Sequence, residues 1–165
     1  MKTRYIASLL VLAFATAGAP AWAQSPDNPL GTPAAAVFGA RVLDVHEFVA
    51  QHIDRLRPTR RVGPVIVQDP CHLRHVQKAH MAVRTVLAPV ADLVELDDDG
   101  LCCGAGGAYS VMEPALAGQI RERKLASIAR AGGGLVASAN PGCAMHLAAA
   151  GLTVRHPIDI LAEAL

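Results

Sequence analysis

Leu101-Cys102-Cys103-Gly104-Ala105-Gly106-Gly107-Ala108-Tyr109 puts two adjacent thiols on a glycine-rich turn. The strand-like run Leu93-Val94-Glu95-Leu96 precedes it, and a helical pattern opening at Pro114 follows it. Consecutive Cα atoms are about 3.8 Å apart, short of the roughly 4.4 to 6.8 Å spanned by ordinary disulfides, so a Cys102 to Cys103 bridge would be strained. Their partners are therefore expected elsewhere. The only other cysteines are Cys71, in Asp69-Pro70-Cys71-His72, and Cys143, in Asn140-Pro141-Gly142-Cys143. Each repeats the same context of apolar run, Pro turn, cysteine and helical pattern.

Outward from these turns the chain alternates. Val62 to Val67 is a short β-branched run closed by Asp69-Pro70, and Val76, Ala79, Val83 and Leu87 mark a helix stopped by Pro89. After the second strand and the acidic turn Asp97-Asp98-Asp99-Gly100, a helix opens at Pro114 and ends at Gly132-Gly133-Gly134. Lys124 falls inside the apolar stripe of that helix, where a lysine is expected to snorkel, an ion pair or a charge that tunes a centre at the cysteine turns being the alternative. Leu135 to Ser138 reads as a third strand, Cys143 opens an alanine-rich helix, Thr153-Val154-Arg155 makes a fourth strand, and Ile158 to Leu165 closes with a helix. Strands separated by helices predict an α/β fold, a four-stranded parallel sheet with helices on both faces. The turns after the first three strands then open at one carboxyl edge, where Cys71, Cys102, Cys103 and Cys143 converge.

Upstream, Val42, Val45, Val49, Ile53 and Leu56 share a face, predicting an amphipathic helix over 40–57 that packs on the following domain or on another protein. Residues 24–39 are rich in Pro, Gly, Ser and Ala and read as a linker. In residues 1–23, Lys2 and Arg4 precede the apolar run Ile6 to Ala17, and Ala21-Trp22-Ala23 offers a cleavage site, the pattern of a secretory signal peptide. Such an address leads to an oxidising compartment, where four cysteines can pair as two disulfides.

A length of 165 residues, about half of them apolar, suits one globular domain, and a net charge of +1 points to no charged partner. Arg55, Arg57, Arg60 and Arg61 surround Pro58 in a segment read as solvated linker, so no nucleic-acid face is expected. No Ser-His-Asp, paired-carboxylate or phosphate-loop arrangement occurs, and Gly104-Ala105-Gly106-Gly107 is not a dinucleotide fingerprint.

Four thiolates satisfy either an iron-sulfur cluster or a tetrahedral zinc. Adjacent Cys102 and Cys103 favour the cluster, because consecutive residues struggle to reach two corners round one small ion, whereas several metal atoms offer each its own. His146 shares the helical face of Cys143 and is either a further metal ligand or a surface histidine. His72 and His75 flank Cys71 and either tune or ligate such a centre or form a polar helix start. His46, His52, His80 and His156 carry no assigned chemistry.

Asp69-Pro70-Cys71-His72-Leu73, Cys102-Cys103-Gly104, the Arg121-Glu122-Arg123-Lys124-Leu125 helix and Asn140-Pro141-Gly142-Cys143 together resemble the cysteine-rich CCG domain of heterodisulfide reductase-like proteins. The likeness extends over residues 36–165, with the domain itself at 62–165. It is nearest to the last of the two copies in iron-sulfur subunits of the glycolate oxidase type. The resemblance implies Cys71, Cys102, Cys103 and Cys143 as ligands of an iron-sulfur cluster, of 4Fe-4S type. It also implies an electron-transfer subunit, not catalytic by itself, that takes electrons from flavin-containing oxidase subunits acting on a 2-hydroxy acid and passes them toward the respiratory chain. The location implied is the cytoplasmic side of a membrane, with peripheral association; a genuine signal segment implies the periplasm instead. A full motif has a fifth cysteine where His146 stands, and the ferredoxin-like cysteine runs and first copy are missing from this sequence. It is accordingly expected to correspond to the C-terminal third of such a subunit, with its first 35 or so residues acquired or misassigned at a gene break, an estimate set by where periodicity begins.

Overall fold

The computed structural model describes residues 32–165, so the signal-like segment and the first part of the linker lie outside the described residues. Four strands, β1 (Gly63–Gln68), β2 (Ala91–Glu95), β3 (Leu135–Ser138) and β4 (Thr153–Arg155), form one sheet in the order β2-β1-β3-β4, and every pairing is parallel. The expected α/β architecture is present. Ile66 of β1 faces Val94 on one side and Val136 on the other, so the central strand is hydrogen-bonded along both edges.

Strand order decides which face each helix covers. Right-handed crossovers require that a connection running one way across the sheet use the opposite face from one running back. The step from β1 to β2 carries α3 (His80–Leu87), whereas the step from β2 to β3 carries the short α4 (Tyr109–Met112) and α5 (Pro114–Arg130), and that from β3 to β4 carries α6 (Pro141–Ala148). The core divides accordingly. Val65, Val67 and Ala137 pack with Val83, Leu87, Ile160 and Leu161, from α3 and the C-terminal helix α7 (Pro157–Ala164). On the other face Ile66 and Val136 pack with Ile128, Leu147, Cys103 and Cys143. Alternate residues of one strand thus feed two cores, which is why β1 reads as an unbroken apolar run.

The upstream region differs from the single helix expected over 40–57. Helix α1 (Pro33–Gly39) occupies the end of the expected linker, and a separate helix α2 (Val45–Gln51) is followed by a 3-10 turn at Ile53–Arg55. Asp44 causes the break. Its backbone is extended, its side chain accepts from the His46 N–H, and Glu47 reaches back to the Asp44 N–H, a capping box that starts a new helix. Val49, Ala50, Ile53 and Leu56 then pack on the first core. His46 is fully buried, bonded through Nδ1 to Asp44 at 2.6 Å and packed at a tilt against His156, with ring centroids 5.0 Å apart. The arginine-rich segment is pinned, not merely solvated: the Thr59 N–H donates to the Ala164 carbonyl, Arg60 to that of Glu163, and Arg61 pairs with Asp92. Among the described residues no helix is long and apolar enough to cross a membrane.

Candidate functional site

Where strand order reverses between β1 and β3, their connections leave toward opposite faces and open a crevice at the carboxyl ends, the usual ligand position in open parallel sheets. The three cysteine turns meet at this edge. Cys71 follows β1 directly and is exposed, whereas Cys103 and Cys143 are buried in the second core and Cys102 is half-buried between them and solvent. Cys71 opens a wide helical turn, His72–Val76, in place of the α-helix expected there; the regular helix begins only at His80. Cys143 lies in the first turn of α6, where Asn140 caps the helix by accepting from the Cys143 N–H at 3.1 Å.

All four cysteines are free thiols. The sulfurs of Cys103 and Cys143 stand 2.9 Å apart, within hydrogen-bonding distance of each other. Hydrogen bonding to Cys143 lowers the Cys103 pKa to about 6, against the opposition of burial, and the Ala105 N–H and the Lys124 ammonium lower it further. Cys143 moves the other way. Its bond to the Cys103 thiolate and its own burial push its pKa up, with Cys71 and Cys102 adding to the effect. Burial also raises Cys102, partly offset by the Gly104 N–H that donates to its sulfur at 3.4 Å. Four sulfurs therefore feel one another's charge across three turns.

Gly104 is the residue that lets this turn close. Its φ of +89° suits glycine, and a Cβ there would fall 2.4 Å from the Ala117 carbonyl oxygen and 3.3 Å from His146 Nε2. The His146 imidazole thus stands against the turn at Gly104. Its Nε2 is buried without a hydrogen-bond partner, so the surface-histidine expectation does not describe that nitrogen. Among the described residues no three His, Cys, Asp or Glu side chains gather round one point to hold a single metal ion. Four thiols brought to one edge from three turns offer the donor type that an iron-sulfur cluster takes.

Polar ties that hold the turns together are the part that pattern reading misses. Asp69, 4% exposed, accepts from Arg74 at 2.9 Å and from both terminal nitrogens of Arg84, at 2.7 and 3.0 Å; Arg84 also grips Glu95 at the end of β2. The ends of β1 and β2 are thereby locked beside Cys71. His75 spans to the Gly100 carbonyl at 3.3 Å, joining the Cys71 turn to the one leading into Cys102, while His72 is exposed. Deeper in, Ser138 donates to Gln68 at 2.7 Å across β1 and β3. The signal for the first tie was an acid directly before a Pro-Cys turn with two arginines downstream; the second had none. The cleft lined by Asp69, Arg74, Arg84, Glu95 and Asp98 measures about 10 Å³, about one water, and its charges are already paired with one another.

The cysteine-rich domain model designated CCG matches residues 65–148, which run from β1 through α6 and include all four cysteines. The chain is 41% identical over 98 residues to the glycolate oxidase iron-sulfur subunit of Escherichia coli (strain K12), covering 58% of this chain and 24% of that protein. It is 32% identical over 108 residues to a fumarate reductase (CoM/CoB) subunit of Methanothermobacter marburgensis, covering 64% of this chain and 22% of the relative. A probable glycolate oxidase iron-sulfur subunit of Bacillus subtilis (strain 168) is 28% identical over 127 residues, 73% of this chain and 28% of that one. The chain thus spans about a quarter of the length of these relatives. With its matched segment running through every cysteine turn of the sheet edge, the chain belongs to the CCG cysteine-rich domain family.

Proposed function

We propose that Cys71, Cys102, Cys103 and Cys143 hold an iron-sulfur cluster of 4Fe-4S type, and that the chain relays electrons within a glycolate oxidase-type 2-hydroxy-acid dehydrogenase, from a flavin subunit toward the respiratory chain. One observation carries this reading: four free thiols from three separate turns share one sheet edge, and the sulfurs of Cys103 and Cys143 are within 2.9 Å of each other. The relatives named as iron-sulfur subunits support the same class of cofactor and an assembly with partner subunits. A bound cluster supplies a one-electron store. The chain's own residues present Cys103 as a thiolate ready to bind metal, bury the inner sulfurs, and leave Cys71 at the exposed rim, where an electron can pass to a partner. His146 Nε2, buried and unpartnered, is proposed as a further donor.

Anaerobic reconstitution with iron and sulfide, followed by iron and sulfide analysis, absorbance and electron paramagnetic resonance, tests the proposal. Iron with acid-labile sulfide is expected; uptake of zinc alone under those conditions sinks it. Cys102→Ser and Cys103→Ser are each expected to abolish loading. Nitrogen coupling that disappears in His146→Ala is the expected signature of imidazole ligation, and a spectrum unchanged by that substitution removes His146 from the ligand set. The proposed location is the cytoplasmic face of a membrane, because loading needs reduced thiols. Fractionation with N-terminal sequencing checks it, and a periplasmic product beginning at Gln24 would overturn it.

A further inference from the structure

We infer that Lys124 is a positioning residue for the Cys102-Cys103 turn and that its buried charge raises the electron affinity of the centre held there, an inference resting on the iron-sulfur reading above. Lys124 lies in α5 with 0% of its side chain exposed, and its Nζ meets Asp98 Oδ2 at 2.6 Å; Asp98 is itself only 7% exposed. The expectation that this lysine snorkels is therefore wrong: the ammonium is inside. Withdrawing two charges from water is costly, and apolar side chains of similar volume fill such a space at least as well. A fully buried ammonium here calls for a use of its charge.

The contacts of Asp98 show where that charge acts. One carboxylate oxygen takes Lys124, while the other accepts from the Gly100 N–H at 3.1 Å and the Asp98 carbonyl accepts from the Leu101 N–H at 3.0 Å. The next residue is Cys102, so the turn leading into the paired thiols is wound round a carboxylate that Lys124 fixes. Ser127 and Arg130 extend the grip by holding Asp97 at 2.7 Å and 2.7 to 2.8 Å. Spaced at three-residue intervals, the three side chains form a row along α5 facing the acidic turn. The same helix lies directly against the cysteine turn, since a Cβ on Gly104 would fall 2.4 Å from the Ala117 carbonyl oxygen and 3.2 Å from the Arg121 backbone nitrogen, one turn before Lys124. Reduction adds negative charge beside Cys103, and a buried cation favours the reduced state, so the centre's potential rises with Lys124 present.

The test is a redox titration, followed by electron paramagnetic resonance, of anaerobically reconstituted wild type, Lys124→Arg, Lys124→Met and the double variant Lys124→Met/Asp98→Asn. The expected order of midpoint potentials is Lys124→Met lowest, the double variant next, and wild type with Lys124→Arg highest, at equal iron content. The double variant leaves no unpaired buried charge, so it keeps the comparison available where Lys124→Met does not fold. A double variant that loads iron normally and titrates with wild type overturns the inference while leaving the cluster reading intact. Wild type that takes up no iron overturns the cluster reading and this inference with it.

Discussion

Replacing Asp69 by Asn keeps its shape and removes the charge on which two arginines converge. Asp69 is 4% exposed, Arg84 13% and Arg74 26%, so the cluster is substantially shielded from solvent. Removing one partner of a buried pair costs about 3–5 kcal/mol. Arg84 keeps Glu95 and Arg74 keeps Asp99, which places the expected loss near the lower end, at about 3 kcal/mol. With a urea dependence of about 2 kcal/mol per molar, the unfolding midpoint of Asp69→Asn is expected to fall by about 1.5 M. Acid behaviour supplies a second measurement. Burial alone pushes the Asp69 carboxyl up, but hydrogen bonds and charge from Arg84, then from Arg74, more than reverse it and hold the carboxyl below its usual range. The group therefore stabilises the fold fully above its unfolded value, near 4, and this contribution is lost as pH falls through the lower folded value. Wild type should lose stability more steeply than Asp69→Asn below about pH 4. Coincident urea midpoints and parallel acid limbs for the two proteins would refute this account and leave Asp99 and Glu95 as the groups that hold the arginines.

Gly104→Ala should cost at least the roughly 1–2 kcal/mol of a left-handed non-glycine residue, plus the clash with the Ala117 carbonyl; an unchanged melting temperature would contradict it. Ser138→Ala strips the buried Gln68 carbonyl oxygen of its donor and should cost about 1–3 kcal/mol in urea unfolding, with a value near zero counting against the bond. His156 caps α7 by accepting from the Ile158 N–H, so His156→Ala should lose about 1 kcal/mol while iron loading is unchanged. Burial, then the neighbouring His46, holds the His156 pKa below its ordinary value, so wild-type stability should decline as pH falls from about 6.5 and flatten in the variant. Equal pH dependence in the two proteins would rule this out.

The sheet and its cysteine edge were legible because both depend on short-range patterns. Leu135–Ser138 and Thr153–Arg155 are strands at their expected bounds, and β1 and β2 lie within one or two residues of theirs, since β-branched runs closed by Pro or Gly turns leave few alternatives. Convergence of the thiols followed from the parallel topology alone. A single apolar stripe over 40–57 takes no account of Asp44, whose side chain caps a new helix. Lys124 misled for a different reason. Periodicity correctly placed it on the inward stripe, but no pattern of spacing pairs it with Asp98, which lies in the turn that follows β2. The Asp69 cluster, likewise, is assembled from three elements, and its members acquire meaning only when the ends of β1 and β2 are neighbours.

The order β2-β1-β3-β4 also fixes when a complete donor set can exist during synthesis. Cys71 and the Cys102-Cys103 pair are made early, on β1 and β2, but Cys143 arrives only with β3, which must dock on the far side of β1 from β2. A nascent chain extending to Gly134 has three thiols, an unpaired edge on β1 and no α6 to close over Cys103. Domains form as units once their non-local pairings are available. Anything that binds at this edge therefore meets an open half-sheet until β3 has docked, and a closed edge only afterwards.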